Sequence, residues 1–291
     1  MSPEPPIGKP ELFYEEEEIA HARQVRGVLD YRSERLPTWC PGCGYFGVET
    51  ALFDTLHELK IPAKDTVVVS GIGCVGRFPF FMKCYGIHAL HGRALPVATG
   101  AKLVRPELTV LAMVGDGDGL GIGAGHFPHA ARRNPDLTCI LFDNNIYGLT
   151  KGQTSPTTPH LQVTNSHPYG NPDNPLNAVL MALVYGATFV ARGWAGRPKD
   201  LQLLIAEAVK HRGFSFIHFL SPCVTFDKVN LLYSNLEKQT QPLPKRHDCT
   251  NLEQAIARAR DPELFVGLFY RTERPTYADQ MHSYGERGEK S

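Results

Sequence analysis

Apolar stretches alternate with helical patterns through the middle of this 291-residue chain, and most of these stretches end in glycine or polar residues. The predicted strands cover residues 66–70, 108–114, 137–142, 187–191 and 215–220. We predict one helix of about 14 residues that ends at Arg133, and a second over 198–211 that begins with proline and precedes Gly213. Nearly continuous apolar strands joined by helices are typical of a parallel sheet covered on both faces. We therefore expect an α/β protein with a doubly wound, mostly parallel sheet.

Three parts of the chain differ in composition. Residues 1–36 contain three prolines before Lys9 and an acidic run at 15–18, and we expect an N-terminal arm whose acidic run is a solvated face. Residues 37–234 carry the strand and helix patterns and form the expected binding domain. Residues 235–291 are rich in charge apart from a helical stretch and a short apolar patch, so we expect an extension that wraps a neighbour or is partly disordered.

Charge and targeting signals exclude several classes of protein. Lysine plus arginine and aspartate plus glutamate both number 30, which argues against a nucleic-acid or membrane-surface binder. The first residues lack the cationic and apolar parts of a signal peptide, and no stretch is a credible transmembrane helix. Seven cysteines in such a chain indicate reduced thiols or metal ligands rather than disulfides, and a cytoplasmic location.

Distinctive residues follow four of the predicted strands. They are the segment 71–74, the GDG sequence 115–117, the pair 144–145, and Cys223. In a parallel sheet all strand carboxyl ends lie at one edge, and ligands bind in the crevice outside it. We therefore expect these four segments to converge.

Asp116 and Asn144 are 28 residues apart, an interval that one helix and one strand fill. A carboxylate and an amide oxygen at neighbouring strand ends are hard ligands of the kind that Mg²⁺ takes together with substrate phosphates. A helix that begins near Gly119 would offer free N–H groups to a phosphate. A lone GDG is also typical of a tight strand–helix turn. Together with the later asparagine pair, it predicts a diphosphate held through Mg²⁺.

The cysteines suggest a second centre. Cys40 and Cys43 form a C-x₂-C pair, which by itself fits zinc, redox or iron–sulfur chemistry. Cys74 and Cys223 follow strands at the same edge and could complete a set of four ligands. Zinc stays an alternative because four-cysteine sites serve both metals. Cys139 lies inside a strand and is expected in the core.

A segment of about thirty residues, 147–177, is rich in Thr, Pro, Asn and Gly, and ordered loops longer than about 12–15 residues are usually functional. Lys151, in this segment, could bind an anion or be a surface lysine, and Arg77 has the same two interpretations.

Five motifs occur in an order that resembles the β subunit of 2-oxoacid:ferredoxin oxidoreductases. They are WCPGCG (39–44), GIGC (71–74), LHGRALPVATG (90–100), VGDGDGLGIG (114–123) and NNIYGLTKGQTSPTT (144–158). The GDG and NN sequences, separated by 26 residues, resemble the thiamine diphosphate motif. The resemblance covers roughly residues 36–230 and is specific because several unusual motifs agree.

The resemblance implies three cofactors: thiamine diphosphate, Mg²⁺ and a [4Fe–4S] cluster. The residues that match Mg²⁺ ligands are Asp116, Asn144 and, through its backbone carbonyl, Ile146. Those that match thiamine diphosphate contacts are Ile72, Gly73, Cys74, Val75, His91, Gly117, Asp118, Ile146, Gly148 and Leu149. Those that match the cluster ligands are Cys40, Cys43, Cys74 and Cys223. Lys151 and Arg77 match basic residues near the 2-oxoacid site.

The implied reaction is the oxidative decarboxylation of a 2-oxoacid, with coenzyme A as acyl acceptor and ferredoxin as electron acceptor. Lys151 and Arg77 could serve a second carboxylate, so 2-oxoglutarate is the favoured substrate and pyruvate the alternative. One doubly wound unit holds only the diphosphate half of the cofactor. We therefore expect an α subunit to supply the carboxylate that activates the aminopyrimidine, in a heterodimer or a dimer of heterodimers. A non-oxidative thiamine enzyme with structural zinc and a silent binding subunit are the other hypotheses.

Overall fold

A mostly parallel sheet runs through the protein, of which the computed structural model describes residues 30–227 and 233–288. Its eight strands lie in the order β2-β1-β3-β4-β8-β7-β10-β9, and β5 pairs with β6 in a separate small hairpin. The strands are β1 (Thr66–Ser70), β2 (Tyr85–His88), β3 (Thr109–Gly115), β4 (Leu137–Asp143), β5 (Ile146–Tyr147), β6 (Gln153–Thr154), β7 (Phe189–Trp194), β8 (Phe214–Leu220), β9 (Thr240–Pro242) and β10 (Leu264–Arg271).

Helices cover both faces of the sheet. Those on one face are Ala94–Val104, Phe127–Arg133, Ala178–Val184 and Leu252–Arg260. Those on the other are Tyr45–Glu58, Pro198–Lys210 and the 3₁₀ helix Val75–Phe81. The remaining helical elements are the 3₁₀ turn Ala63–Asp65, the π-helical turn Gly117–Ile122, and the helices Tyr233–Gln239 and Tyr277–Gly288. Alternate strand residues supply the two cores, as when Val68 faces one and its neighbours Val67 and Val69 face the other. The predicted α/β fold is confirmed.

The strand register brings the predicted segments to one edge. Ser70 is opposite Met113, Gly115 is opposite Phe142, and Asp143 is opposite Leu220. Because these strands are parallel, the residues that follow them emerge side by side.

The predicted long helix before Arg133 is wrong in its first half. The chain forms the π-helical turn and then a short α-helix, Phe127–Arg133, that has proline in its first turn. Four glycines between 117 and 123 explain the difference, because each costs a helix interior about 1 kcal/mol relative to alanine.

The last part of the chain joins the sheet rather than extending from it. β10 pairs antiparallel with β7, and β9 lies beside β10. The strand predicted over 187–191 is observed as Phe189–Trp194, because Arg192, which resembles a strand end, is buried inside the sheet.

The end of the predicted N-terminal arm packs against the domain. Tyr31 is buried and its hydroxyl donates to the carbonyl of Ile61 at 2.6 Å, and Arg32 forms an ion pair with Glu49 at 2.7 Å. The acidic run at 15–18 lies outside the described residues. None of the described helices has the length and hydrophobicity that a membrane span requires.

Candidate functional site

The carboxyl ends of β1, β3 and β4 enclose a cleft of about 140 Å³. It contains all the residues predicted to contact Mg²⁺ and thiamine diphosphate. Its lining is Tyr45, Ile72, Gly73, Cys74, Val75, His91, Gly115, Asp116, Gly117, Asp118, Asn144, Ile146, Tyr147, Gly148, Leu149 and Thr150. Residues from five separate segments of the sequence therefore share one small space, and three of these segments follow the parallel strands β1, β3 and β4.

Asp116 is buried at the tip of β3 and faces a second carboxylate across one hydroxyl. Thr157 Oγ1 lies 2.9 Å from Asp116 Oδ2 and 2.7 Å from Asp143 Oδ1. A hydroxyl has one proton to donate, so it serves one carboxylate at a time. Burial and the nearby Asp143 raise the pKa of Asp116 to about 7. A divalent cation beside Asp116 would relieve this repulsion, which is the chemistry that a magnesium ligand requires.

The turn after β4 is held in place by its own hydrogen bonds. Asn144 Oδ1 accepts from the Ile146 N–H at 3.2 Å, and Asn144 Nδ2 donates to the buried Tyr45 hydroxyl at 3.3 Å. The Tyr147 hydroxyl donates to the Gly117 carbonyl at 2.9 Å. A Cβ on Gly117 would lie 2.2 Å from the Tyr147 ring, so only glycine allows this approach. The bonds lock the asparagine next to the tip of β3.

Asp118 organises the loops around the cleft. Its Oδ1 accepts from the N–H groups of Ile72 at 3.0 Å and Gly92 at 2.7 Å, and it lies 2.6 Å from His91 Nδ1. Its other oxygen is buried without a hydrogen-bond partner in the described part of the chain. A Cβ on Gly71 would lie 1.9 Å from that oxygen, so the glycine makes room for the carboxylate. Asp118 thus holds two predicted cofactor loops together.

Four thiols approach the same region. A Cβ built on Gly148 would lie 3.6 Å from Cys223 Sγ and 3.8 Å from Cys74 Sγ, and 3.7 Å from Asn144 Nδ2. Burial raises the pKa of Cys43 to about 12, and the thiols of Cys74, Cys223 and Cys40 contribute to the rise.

Cys43 and Cys74 are therefore each within electrostatic reach of the other three predicted cluster ligands. Within 30–227 and 233–288, no three His, Cys, Asp or Glu side chains are grouped closely enough for a single metal ion. A [4Fe–4S] cluster needs no such grouping, because each thiolate binds a different iron. Cys139 is buried in β4, as the sequence predicts.

Two polar contacts join the loop of Cys40 and Cys43 to the segment of Cys74. Trp39 Nε1 donates to the Cys74 carbonyl at 2.8 Å, and the indole packs against the rings of four aromatic neighbours. Arg77 donates to Thr38 Oγ1 at 2.9 Å. Burial and Cys223 raise the pKa of the Cys74 thiol to about 11, and the nearby Arg77 guanidinium opposes that rise. These contacts fix the spacing between two segments that carry predicted cluster ligands.

The two basic residues predicted at the substrate site lie in different surroundings. Arg77 is half-buried and close to Cys74, whereas Lys151 is exposed at a left-handed backbone position with φ 79°. The Lys151 N–H donates to the Gly148 carbonyl at 3.0 Å. A role in binding a substrate carboxylate stays a prediction for both.

Several site residues received no role from the sequence. Tyr45, Tyr147 and Thr157 hold the predicted magnesium edge, and Asp143 and His218 form a buried pair at 2.8 Å. His218 had a visible signal, because a polar residue in the middle of an apolar strand needs a buried partner. For Tyr45, Tyr147 and Thr157, the sequence shows only that they lie within or beside the motifs, and not which residues they contact.

Family comparisons agree with this geometry. The family described as thiamine pyrophosphate enzyme, C-terminal TPP binding domain, matches residues 71–219. The family described as the C terminal of the pyruvate ferredoxin oxidoreductase beta subunit matches residues 223–286. The chain thus carries both the cofactor-binding unit and the C-terminal unit of one subunit type.

Individual relatives are similar over most of the chain. The β subunit of 2-oxoacid:ferredoxin oxidoreductase 2 of Aeropyrum pernix is 46% identical over 70% of this chain and 66% of its own length. The 2-oxoglutarate synthase subunit KorB of Methanocaldococcus jannaschii is 37% identical over 88% of this chain and 96% of its own. A solved 2-oxoglutarate:ferredoxin oxidoreductase of Magnetococcus marinus, with 2-oxoglutarate, coenzyme A and succinyl-CoA bound, superposes with a TM-score of 0.88 at 44% identity, over 90% of both chains. The convergent strand ends, the two family matches and these relatives lead to one conclusion: the chain belongs to the β subunits of the 2-oxoacid:ferredoxin oxidoreductases.

Proposed function

We propose that this subunit holds both redox-active groups of the enzyme, thiamine diphosphate with its Mg²⁺ and a [4Fe–4S] cluster. The observation that carries the proposal is the space around Gly148, which Cys74 Sγ, Cys223 Sγ and the Asn144 side chain all border within 3.8 Å of one point. A cluster ligand and a magnesium ligand thus share one boundary, as electron transfer between the two groups requires.

The magnesium–diphosphate end would be held by Asp116, Asn144 and the Ile146 carbonyl. Asp116 supplies a buried carboxylate, and the glycines of the π-helical turn that follows it would let a diphosphate approach the backbone closely. Gly73 has φ 103° and open space where a Cβ would be, so the backbone can approach the ligand closely. When bound, thiamine diphosphate supplies an electron sink that allows a 2-oxoacid to lose CO₂.

The cluster end would be held by Cys40, Cys43, Cys74 and Cys223. Cys43 and Cys74 are mostly buried thiols whose pKa values are raised, so cluster binding must release their protons. Trp39 and Arg77 hold the two segments at a fixed separation without supplying a ligand. The protein's part in electron transfer is thus to keep the thiolates close to the cofactor cleft.

We propose 2-oxoglutarate as the substrate and succinyl-CoA and CO₂ as products, with ferredoxin as electron acceptor. Support comes from the 2-oxoglutarate synthase relative and from the ligands in the solved oxidoreductase, and from two cations, Arg77 and Lys151, near the cleft segments. An α subunit would supply the carboxylate for the aminopyrimidine. Neither this carboxylate nor most of the substrate pocket is proposed to lie on the β chain, so the isolated chain should turn over no substrate.

The test uses the complex of this chain with its α subunit, purified without air. We expect iron and acid-labile sulfide, a broad visible absorbance that bleaches with 2-oxoglutarate and coenzyme A, and slower turnover of pyruvate. Cys223→Ser should lose iron, whereas Cys84→Ser, at a half-buried thiol outside the predicted set, should keep it. A colourless zinc protein would refute the cluster, and faster turnover of pyruvate would refute the substrate.

A further inference from the structure

A buried row of three side chains leads from the cofactor edge into the middle of the sheet. Asp143 ends β4, His218 lies in β8 and Arg192 lies in β7, and each is at most 5% exposed. His218 Nε2 is 2.8 Å from Asp143 Oδ2, and Arg192 Nε is 3.1 Å from His218 Nδ1. We call these three residues the relay. None of them is a ligand in the proposed function.

The hydrogen-bond chemistry of the relay defines its protonation. A guanidinium only donates, so Nδ1 of His218 accepts and its proton is on Nε2, which donates to Asp143. Burial lowers the pKa of His218, in agreement with a neutral ring. The relay is therefore a neutral imidazole between a cation and a carboxylate, and its charges balance. A buried arginine needs this compensation, since a lone charge in the core is costly.

The far end of the relay reaches the C-terminal segment. Arg192 Nη1 donates to the Phe265 carbonyl at 3.1 Å, and the guanidinium carbon lies 5.3 Å from the centre of the Phe269 ring. Both residues belong to β10, the strand that pairs antiparallel with β7. The antiparallel edge of the sheet thus helps to place Arg192.

The near end of the relay sets the magnesium edge. Asp143 Oδ1 accepts from the Asn145 N–H at 3.0 Å, which shapes the turn that carries Asn144. The same oxygen lies 2.7 Å from Thr157 Oγ1, which in turn lies 2.9 Å from Asp116 Oδ2. One carboxylate oxygen therefore touches the supports of both proposed side-chain ligands, while its partner oxygen is held by His218.

We propose that Asp143, His218 and Arg192 are positioning residues that set the geometry of the Mg²⁺ ligands. The affinity for Mg²⁺–thiamine diphosphate then depends on contacts made by β10. This inference rests on the proposed function, because it concerns the same metal site. Residues that orient ligands from behind typically change metal affinity by about 10–100-fold when they are replaced.

The test measures thiamine diphosphate binding to the α–β complex at several Mg²⁺ concentrations, by calorimetry. His218→Phe and Arg192→Met should weaken binding by about tenfold or more. His218→Gln keeps one N–H donor and one acceptor, so its dissociation constant should stay within about threefold of wild type. If His218→Phe does not fold, Arg192→Lys replaces it, since lysine keeps the charge but cannot serve His218 and Phe265 with the same geometry.

Arg274→Met is the matched control. Arg274 donates to the carbonyls of Ala131 and Gly186 near the opposite edge of the sheet, so its loss should lower the melting temperature and leave affinity within about twofold. If the wild-type complex fails to bind thiamine diphosphate with Mg²⁺, the proposed function is wrong. If it binds, the relay inference is refuted by unchanged affinity in the relay variants, by a loss in His218→Gln as large as in His218→Phe, or by an equal loss in the control.

Discussion

Gly148→Ala tests whether the space beside Gly148 is needed by the bound groups, because the packing of the protein itself can accept a methyl group there. Gly148 does not have a left-handed φ, and an added Cβ would meet its three neighbours at 3.6–3.8 Å, which is ordinary van der Waals contact. The polypeptide can therefore accept the methyl group without strain. A glycine replaced at a compatible position gains about 0.4–1 kcal/mol from the lower entropy of the unfolded chain. The metal-free subunit should be as stable as wild type or slightly more stable.

The same methyl group would occupy the boundary between the proposed cluster and the proposed magnesium site. It would lie within 3.8 Å of the sulfurs of Cys74 and Cys223 and of the Asn144 amide, in space that we propose the bound groups need. We expect iron content to fall by about half or more and thiamine diphosphate affinity to fall by about tenfold. Iron and sulfide analysis, calorimetry and denaturant unfolding of the same preparations measure all three quantities.

Gly100→Ala is the control for the stability gain. Gly100 lies in the helix Ala94–Val104 with open space where a Cβ would be, so alanine should stabilise the protein by about 0.5–1 kcal/mol and leave iron unchanged. Wild-type iron content and cofactor affinity in Gly148→Ala would refute the shared boundary. A loss of stability of several kcal/mol would show instead that the observed packing around Gly148 is wrong.

Three further changes test the supports of the site. Asp118→Ala removes the acceptor of three hydrogen bonds and should lower the free energy of unfolding by about 2–4 kcal/mol, measured with urea; an unchanged midpoint would contradict its role. Trp39→Phe keeps an aromatic ring but removes the indole N–H that donates to the Cys74 carbonyl, so it should cost about 0.5–1.5 kcal/mol and speed the loss of iron to a chelator. The pKa of Asp116 is raised to about 7 by burial and Asp143, so its protonated form stabilises the metal-free fold at low pH and this contribution is lost as pH rises toward about 7. Mg²⁺ must displace that proton, so Mg²⁺ affinity should rise by about tenfold per pH unit up to about pH 7 and then level off; equal affinity at about pH 6 and pH 8 would contradict this.

The sheet and the meeting of its strand ends follow from local patterns. β1 is observed with its predicted bounds, and β4 differs by one residue, because apolar runs bounded by turn residues mark buried strands reliably. Once the strands are parallel, Asp116, Asn144 and Cys74 must emerge at one edge. The closeness of the predicted ligands was therefore accessible from the sequence, although their roles stay predictions.

The supports of the site depend on contacts that no local pattern encodes. The segment 264–270 reads as an isolated apolar patch, and only its pairing with β7 places it in the sheet. Arg192 reads as the polar end of a strand, because its partner His218 lies 26 residues away. Thr157 is one of several hydroxyl residues in a long loop, and nothing nearby distinguishes it before the fold brings it to Asp116. Long-range hydrogen bonds decide these positions.

The loop after β4 explains why the two sites cannot be built independently. It begins with Ile146 at the proposed magnesium edge, passes Gly148 beside the thiols of Cys74 and Cys223, and returns with Thr157 to contact Asp116. The hairpin of β5 and β6 fixes the path between these points. A shift anywhere in the loop therefore moves a support of one site and the boundary of the other. Because the same backbone serves both, variants within this loop should change iron content and thiamine diphosphate affinity together, whereas Trp39→Phe, which lies outside it, should change iron content first.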